Sequence, residues 1–184
     1  KDLGLKSTQF VAHFMITAFA NPDNLQSDLG LEEMPAVLEI VNTLEDCRII
    51  TVPLGAFEMS RIAAPGDYGD CWKRTVDKIG TLLEMVEIEG YRLALELMPS
   101  AIIGGIDGFM RLCKELGSLS LGLNFDTGHA WAAKENLYLI PAKLGQQILG
   151  THLCDNFGHE NLSLPPGAGS IDWKTLYNAE KAVN

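Results

Sequence analysis

Short apolar runs alternate with longer amphipathic ones along this chain. The runs at residues 6–14, 48–54, 91–98, 119–125 and 147–154 are rich in Leu, Ile or Val and end near Gly, Pro, Asn or Asp, which predicts five strands. Between them the apolar period lengthens. At residues 71–89, Trp72, Val76, Ile79, Leu83 and Val86 recur three or four positions apart, one face of a helix, and Gly90 supplies the stop. Residues 34–44 repeat the pattern with Val37, Leu38, Val41 and Leu44, and Pro35 suits a first helical turn. Further helices are predicted at 105–116, 133–145 and 171–182, the last with Asp172 as N-cap. Strands and helices in alternation, with connections too long for hairpins, give parallel strands joined by crossovers and the α/β class. No linker, low-complexity tract or composition break interrupts the chain, so residues 1–184 read as one domain. Five strand–helix units fit 184 residues, whereas a closed eight-unit barrel needs ~250. The sheet is therefore either open or part of a barrel.

Composition narrows the class. With 47% hydrophobic and 21% charged residues the chain can bury a substantial core and is not a disordered one. No apolar run nears the ~18 residues of a membrane span, so no membrane partner is expected. Residues 1–9 are polar and His13 interrupts the apolar stretch that follows, a pattern unlike a targeting segment. The 24 acidic residues outnumber 14 basic ones, giving a net charge of −10 and a pI of about 4.8. Such a chain repels a phosphate backbone, and no nucleic-acid partner is expected. Cys47, Cys71, Cys113 and Cys154 are widely spaced with no CxxC pair, which suits reduced, mostly buried thiols of a cytoplasmic protein better than a structural zinc site.

Three predicted strands end in residues unlike the strands themselves. The third finishes beside Glu96, the fourth at Asp126 with His129 just beyond, and the fifth carries His152 and Asp155. Strand side chains alternate between faces. Leu93, Leu95 and Leu97 thus oppose Ala94 and Glu96; Leu121, Leu123 and Phe125 oppose Gly122, Asn124 and Asp126; Leu149, Thr151 and Leu153 oppose Gly150 and His152. Large apolar residues suit packing against helices, and the polar faces suit a common interior. A Glu, an Asp and a His at the C-terminal ends of three successive parallel strands stand where barrel enzymes place their catalytic groups. Two hard carboxylates with one imidazole suit Mn²⁺, Mg²⁺, Co²⁺ or Zn²⁺. Taken singly, each residue also has a plainer reading: Glu96 as an ion-pair partner, His152 as a hydrogen-bonded core residue, Asp126-Thr-Gly as a turn.

The same residues carry a family resemblance. Asp126-Thr-Gly-His129, the preceding Glu96 strand, and Thr151-His152-Leu-Cys-Asp155-Asn156 followed by Leu164-Pro-Pro-Gly-Ala-Gly-Ser-Ile-Asp-Trp173 resemble the sugar phosphate isomerase/epimerase group of xylose-isomerase-like TIM barrels. The gaps of 30 residues from Glu96 to Asp126 and 26 from Asp126 to His152 suit that family's fifth, sixth and seventh strands. The resemblance implies a (β/α)8 TIM barrel, incomplete in this chain, with about strands 3 to 7 present and open sheet edges exposed. It implies that Glu96, Asp126 and His152 hold a divalent metal, that Glu96 and His129 are catalytic, and that the protein forms a homo-oligomer acting on a small carbohydrate. The family's fourth metal ligand is a Glu on the eighth strand, for which Glu180, in a predicted helix, is no substitute.

Among weaker substrate-binding candidates, His129 and Asp155 lie at strand ends, Trp131 suits stacking on a sugar ring as well as helix packing, and His13 ends the first strand. Gly104-Gly105 reads as a turn, and His159 as a solvated loop residue. The family often has Asp-x-His before Leu-Pro-Pro-Gly and a Glu between the two glycines; here Asn161, Ser163 and Ala168 stand there. In the endonuclease IV branch that Asp-x-His pair helps build a multi-zinc centre, so its loss argues against DNA repair. The expected function is a divalent-metal-dependent sugar or sugar-phosphate isomerase or epimerase working through an enediolate. The alternatives are a metal-dependent lyase acting on an inosose or oxidised glycoside, and a non-catalytic sugar-binding barrel.

Overall fold

Each predicted strand forms, and every one runs parallel to its neighbours. The structure is a computed structural model that describes residues 4–183, so the first three positions of the polar N-terminal stretch and Asn184 lie outside the described residues. Strand β1 (Gln9–Val11) leads through a 3-10 turn (His13–Phe19) to helices α1 (Pro22–Gln26) and α2 (Met34–Asn42), and β2 (Ile49–Leu54) leads to α3 (Asp67–Ile88). Then β3 (Arg92–Leu97) is followed by α4 (Ile106–Leu116), β4 (Leu121–Asp126) by α5 (Thr127–Ala132) and α6 (Ile140–Leu144), and β5 (Ile148–His152) by α7 (Trp173–Val183). The strands pair in chain order, β1 to β5, as an arc of a parallel barrel.

The expected division of faces is present. Ile50, Val52, Leu54, Leu93, Leu95, Leu121, Leu123 and Phe125 are buried in one core with Ile79, Leu83 and Val86 of α3 and Phe109 and Leu112 of α4. Each such side chain contributes about 1.5–3 kcal/mol on leaving water. On the opposite face, Thr51, Ala94, Glu96, Asn124 and Asp126 are also buried. Helix α3 shows its acidic residues Asp70, Asp77, Glu84 and Glu87 to solvent, as its period predicts. Lys78 departs from it: the side chain is buried and donates to the carbonyls of Ala18 at 3.1 Å, Asn24 at 2.7 Å and Ser27 at 3.0 Å, tying α3 to the segment after β1.

Several boundaries differ from the sequence expectation for local reasons. The first strand shortens to three residues because the chain turns into the 3-10 segment after Ala12, whose N–H still donates to Thr51. The helix predicted at 133–145 is broken: Lys134 takes a left-handed conformation (φ 64°) after α5, and Pro141 sits in the first turn of the short α6. Asp126 opens α5 rather than a simple turn, its Oδ1 accepting from the His129 N–H at 2.7 Å as an N-cap. Asp172 caps α7 as expected, accepting from the Thr175 N–H at 3.1 Å.

Strand β5 departs from plain alternation. Leu123 pairs with Ile148, but Asn124 pairs with Gly150, so the register shifts by one residue. A Cβ on Gly122 would collide with the Leu149 side chain, which places Leu149 on the interior face with Gly122 instead of beside Thr151. The shift brings Asp126 opposite His152; in the unshifted register it would stand opposite Thr151, with His152 turned to the other face.

Candidate active site

At the C-terminal ends of β3, β4 and β5 the interior face gathers Glu96, Asp126 and His152. One ligand atom from each lies within 4.8 Å of the others. His152 Nδ1 is 3.3 Å from Glu96 Oε1 and 3.8 Å from Asp126 Oδ2. Both carboxylates are buried, at 4% and 8% exposure. Among the described residues neither is paired with a Lys or Arg; the basic side chains that face them are His152 and His129. Two buried carboxylates this close with no fixed cation carry a large electrostatic cost. A divalent cation would offset that cost, and two carboxylate oxygens with one ring nitrogen, mutually within 4.8 Å, are a donor set such ions take. The donor set therefore fits a divalent metal.

Amides that the sequence reading left without a role hold this cluster. Asn124, 1% exposed, donates from Nδ2 to Glu96 Oε2 at 3.1 Å, and the same nitrogen lies 3.2 Å from His152 Nδ1. Its Oδ1 accepts from Gln9 Nε2 at 3.0 Å, and Gln9 also donates to Thr51 Oγ1. The network thus spans the arc from β1 to β5. Gly150 leaves space for it: a Cβ there would lie 2.6 Å from Gln9 Oε1 and 2.7 Å from Asn124 Oδ1.

His129 joins the cluster from the first turn of α5. Its Nε2 is 3.7 Å from Glu96 Oε1 and 3.9 Å from Asp126 Oδ2, and its Nδ1 is 3.2 Å from Asn161 Nδ2. Cys154 lies alongside, its Sγ 3.5 Å from Asp126 Oδ1; burial pushes its thiol up, and the Asp126 charge adds to the shift. A cavity of about 340 Å³ opens next to Asn124 and Asp126, between the segment after β3 and helix α5.

The other candidates lie elsewhere. Asp155 is fully buried and accepts from the N–H groups of Asn156, Gly167 and Ile171 and from Trp173 Nε1, at 2.8–3.2 Å. Burial pushes its carboxyl up, but hydrogen bonds from Trp173, Gly169, Ile171 and Gly167 outweigh it and hold the group below the ordinary carboxylate range. Its place is at the root of the loop over 156–171. Trp131 packs against the core and donates to Ser170 Oγ at 3.0 Å. His13 is exposed at the end of β1, and His159 is exposed in its loop. Glu180 lies on α7 by Thr151 at the edge of β5, outside the cluster. The helix start after Gly104-Gly105 is filled by Glu135, whose Oε1 accepts from the Ile106 N–H at 2.9 Å. The four cysteines are free thiols, and no helix among the described residues is long and apolar enough to cross a membrane.

Comparison with known proteins agrees with this architecture. A family model described as xylose isomerase-like TIM barrel matches residues 1–182. The uncharacterized protein MJ1311 of Methanocaldococcus jannaschii is 30% identical over 145 residues, covering 70% of this chain and 50% of the relative. The chain thus spans about half the length of that curated relative. Among solved structures, the E. coli 3-keto-D-glucoside 4-epimerase YcjR superposes with a TM-score of 0.78 at 18% identity, covering 98% of this chain and 69% of YcjR. An IolI protein with a bound zinc atom superposes with a TM-score of 0.73 at 20% identity, covering 98% of this chain and 63% of its own.

Proposed function

The chain belongs to the xylose isomerase-like TIM-barrel family, and on that premise we propose that it carries the metal site of a divalent-metal-dependent isomerase or epimerase acting on a sugar or sugar phosphate. The observation that carries the reading is the convergence of Glu96, Asp126 and His152 within 4.8 Å, with both carboxylates buried and, among the described residues, no Lys or Arg paired with them. The zinc in the IolI structure and the epimerase named for YcjR support the same assignment.

Glu96, Asp126 and His152 are the residues that hold the ion. The chemistry a bound divalent metal supplies here is Lewis-acid stabilisation of the negative charge that develops on two adjacent substrate oxygens. Glu96 takes the proton from the carbon next to the carbonyl, and the C–H electron pair passes toward the carbonyl oxygen. For isomerisation Glu96 returns that proton to the neighbouring carbon, while the hydroxyl proton moves to the former carbonyl oxygen. Epimerisation returns a proton to the opposite face of the same carbon and calls for a second group, the role that the family pattern gives to an eighth-strand Glu. His129, facing the same space, orients a substrate oxygen. Asn124 keeps Glu96 in place through Oε2.

Deuterium exchange tests the proposal. With Mn²⁺ present in D2O, one member of a panel of ketoses and ketose phosphates should exchange the C–H next to its carbonyl and yield an isomer of unchanged composition, followed by NMR. Glu96→Gln should slow exchange by about 100-fold or more. Exchange unaffected by that substitution contradicts the role of Glu96, and a product that has lost water assigns the site to lyase chemistry instead.

A further inference from the structure

We propose that Asn161 is a positioning residue that fixes His129 in its Nε2–H form, so that this histidine presents a hydrogen-bond donor, and no lone pair, toward Glu96 and Asp126. The inference deepens the site proposed above and rests on that reading for its catalytic meaning. An Asn side chain has one acceptor oxygen and one donor nitrogen, and the end that faces a histidine decides which ring nitrogen holds the proton. The Ser163 N–H donates to Asn161 Oδ1 at 3.0 Å. With Oδ1 engaged by that N–H, Nδ2 is the end that lies 3.2 Å from His129 Nδ1. Nδ1 must then accept, and the ring proton is on Nε2, the atom 3.7 Å from Glu96 Oε1 and 3.9 Å from Asp126 Oδ2.

Two features keep Asn161 in this position. Ser163, in a left-handed conformation with φ 49° that residues with side chains disfavour, donates its N–H back to Asn161 two positions earlier. Gly128 supplies the space: a Cβ there would collide with Asn161 Oδ1 and lie 2.5 Å from Cys154 Sγ. The glycine of Asp126-Thr-Gly-His129 thus admits the amide that sets the histidine. A carboxylate at position 161 would have the opposite effect, because it only accepts and would draw the proton to Nδ1. The amide makes His129 a donor to a substrate carbonyl or hydroxyl oxygen and keeps its Nε2 from acting as a metal ligand.

Nitrogen NMR of the metal-free chain, labelled with ¹⁵N at its four histidines, tests this without turnover. Across a pH series, the neutral form of His129, its signals assigned by their loss in His129→Gln, should show a pyridine-type Nδ1 and a pyrrole-type Nε2. The Nε2–H form should exceed the other by about tenfold. Asn161→Asp should invert the ratio, and Asn161→Ala should reduce it severalfold. A predominant Nδ1–H form in the unmodified protein, or an unchanged ratio in Asn161→Asp, overturns the inference. The measurement on the unmodified protein decides even where a variant fails to fold. Expected tautomers in a chain without turnover contradict the proposed reaction alone; turnover with the wrong tautomer contradicts this inference alone.

Discussion

Asp126 and His152 are register partners across β4 and β5, with Asp126 Oδ2 3.8 Å from His152 Nδ1. Their meeting depends on the one-residue shift beside Asn124, because a regular ladder pairs Asp126 with Thr151. Insertion of one Ala between Gly150 and Thr151 sets Thr151 opposite Asp126 and should therefore turn His152 out of the cluster. The expected result is loss of metal binding in a chain whose far-ultraviolet circular dichroism still reports α/β structure. Retained affinity contradicts the role assigned to the shift.

Asn124 should matter to metal affinity without touching the ion. Asn124→Ala removes the donor to Glu96 Oε2 and the acceptor for Gln9. Changes of this kind behind a metal ligand weaken binding by ~10–100-fold, and Mn²⁺ titration should fall in that range. Gly150→Ala should act in the same direction, since its new methyl presses on Asn124 Oδ1 at 2.7 Å.

Asp155 should control stability, and with a definite pH dependence. Asp155→Asn leaves buried N–H donors facing an amide that has one acceptor fewer, and unfolding in urea should show a loss of about 2–4 kcal/mol at neutral pH. The carboxyl is held below its ordinary range, so its stabilisation is present above about pH 3.9 and is lost as pH falls through the lower folded value. The gap between the two proteins should narrow with acidification below that point.

Lys78 offers a separate test far from the cluster. Lys78→Met keeps the apolar stem but leaves the carbonyls of Ala18, Asn24 and Ser27 without their shared donor. The unfolding midpoint should drop by the equivalent of about 2–4 kcal/mol, with metal affinity unchanged.

The parts of this site that could be read from the sequence share one property: their signal is local. Glu96, Asp126 and His152 each end an apolar strand on its polar face, and the recurrence of that arrangement on three strands made the cluster visible. Gln9 and Asn124 lie 115 residues apart, and nothing near either residue marks the hydrogen bond between them. Asn161 was visible only as a departure from the family's Asp-x-His; its contact with His129 follows from how the loop folds back over Gly128. Asp155 shows the ambiguity of strand-end acids, since a substrate contact and a loop anchor look alike until the donors around the carboxylate are known. The shift in β5 was hidden because alternation assumes one residue per pleat, and Gly122 gives no sign that Leu149 lies over it. Lys78 fits a solvated helix face by composition alone, and only the fold of residues 18–27 buries it.

The central claim is that Glu96, Asp126 and His152 together hold one divalent ion. Calorimetric titration of Mn²⁺ or Zn²⁺ into the metal-free chain and into Glu96→Gln, Asp126→Asn and His152→Gln tests it most directly. One ion per chain should bind to the unmodified protein, and each substitution should weaken binding by more than the ~10–100-fold of a change behind the ligands. No binding by the unmodified protein, or variants that bind as tightly as the unmodified protein, would contradict the account.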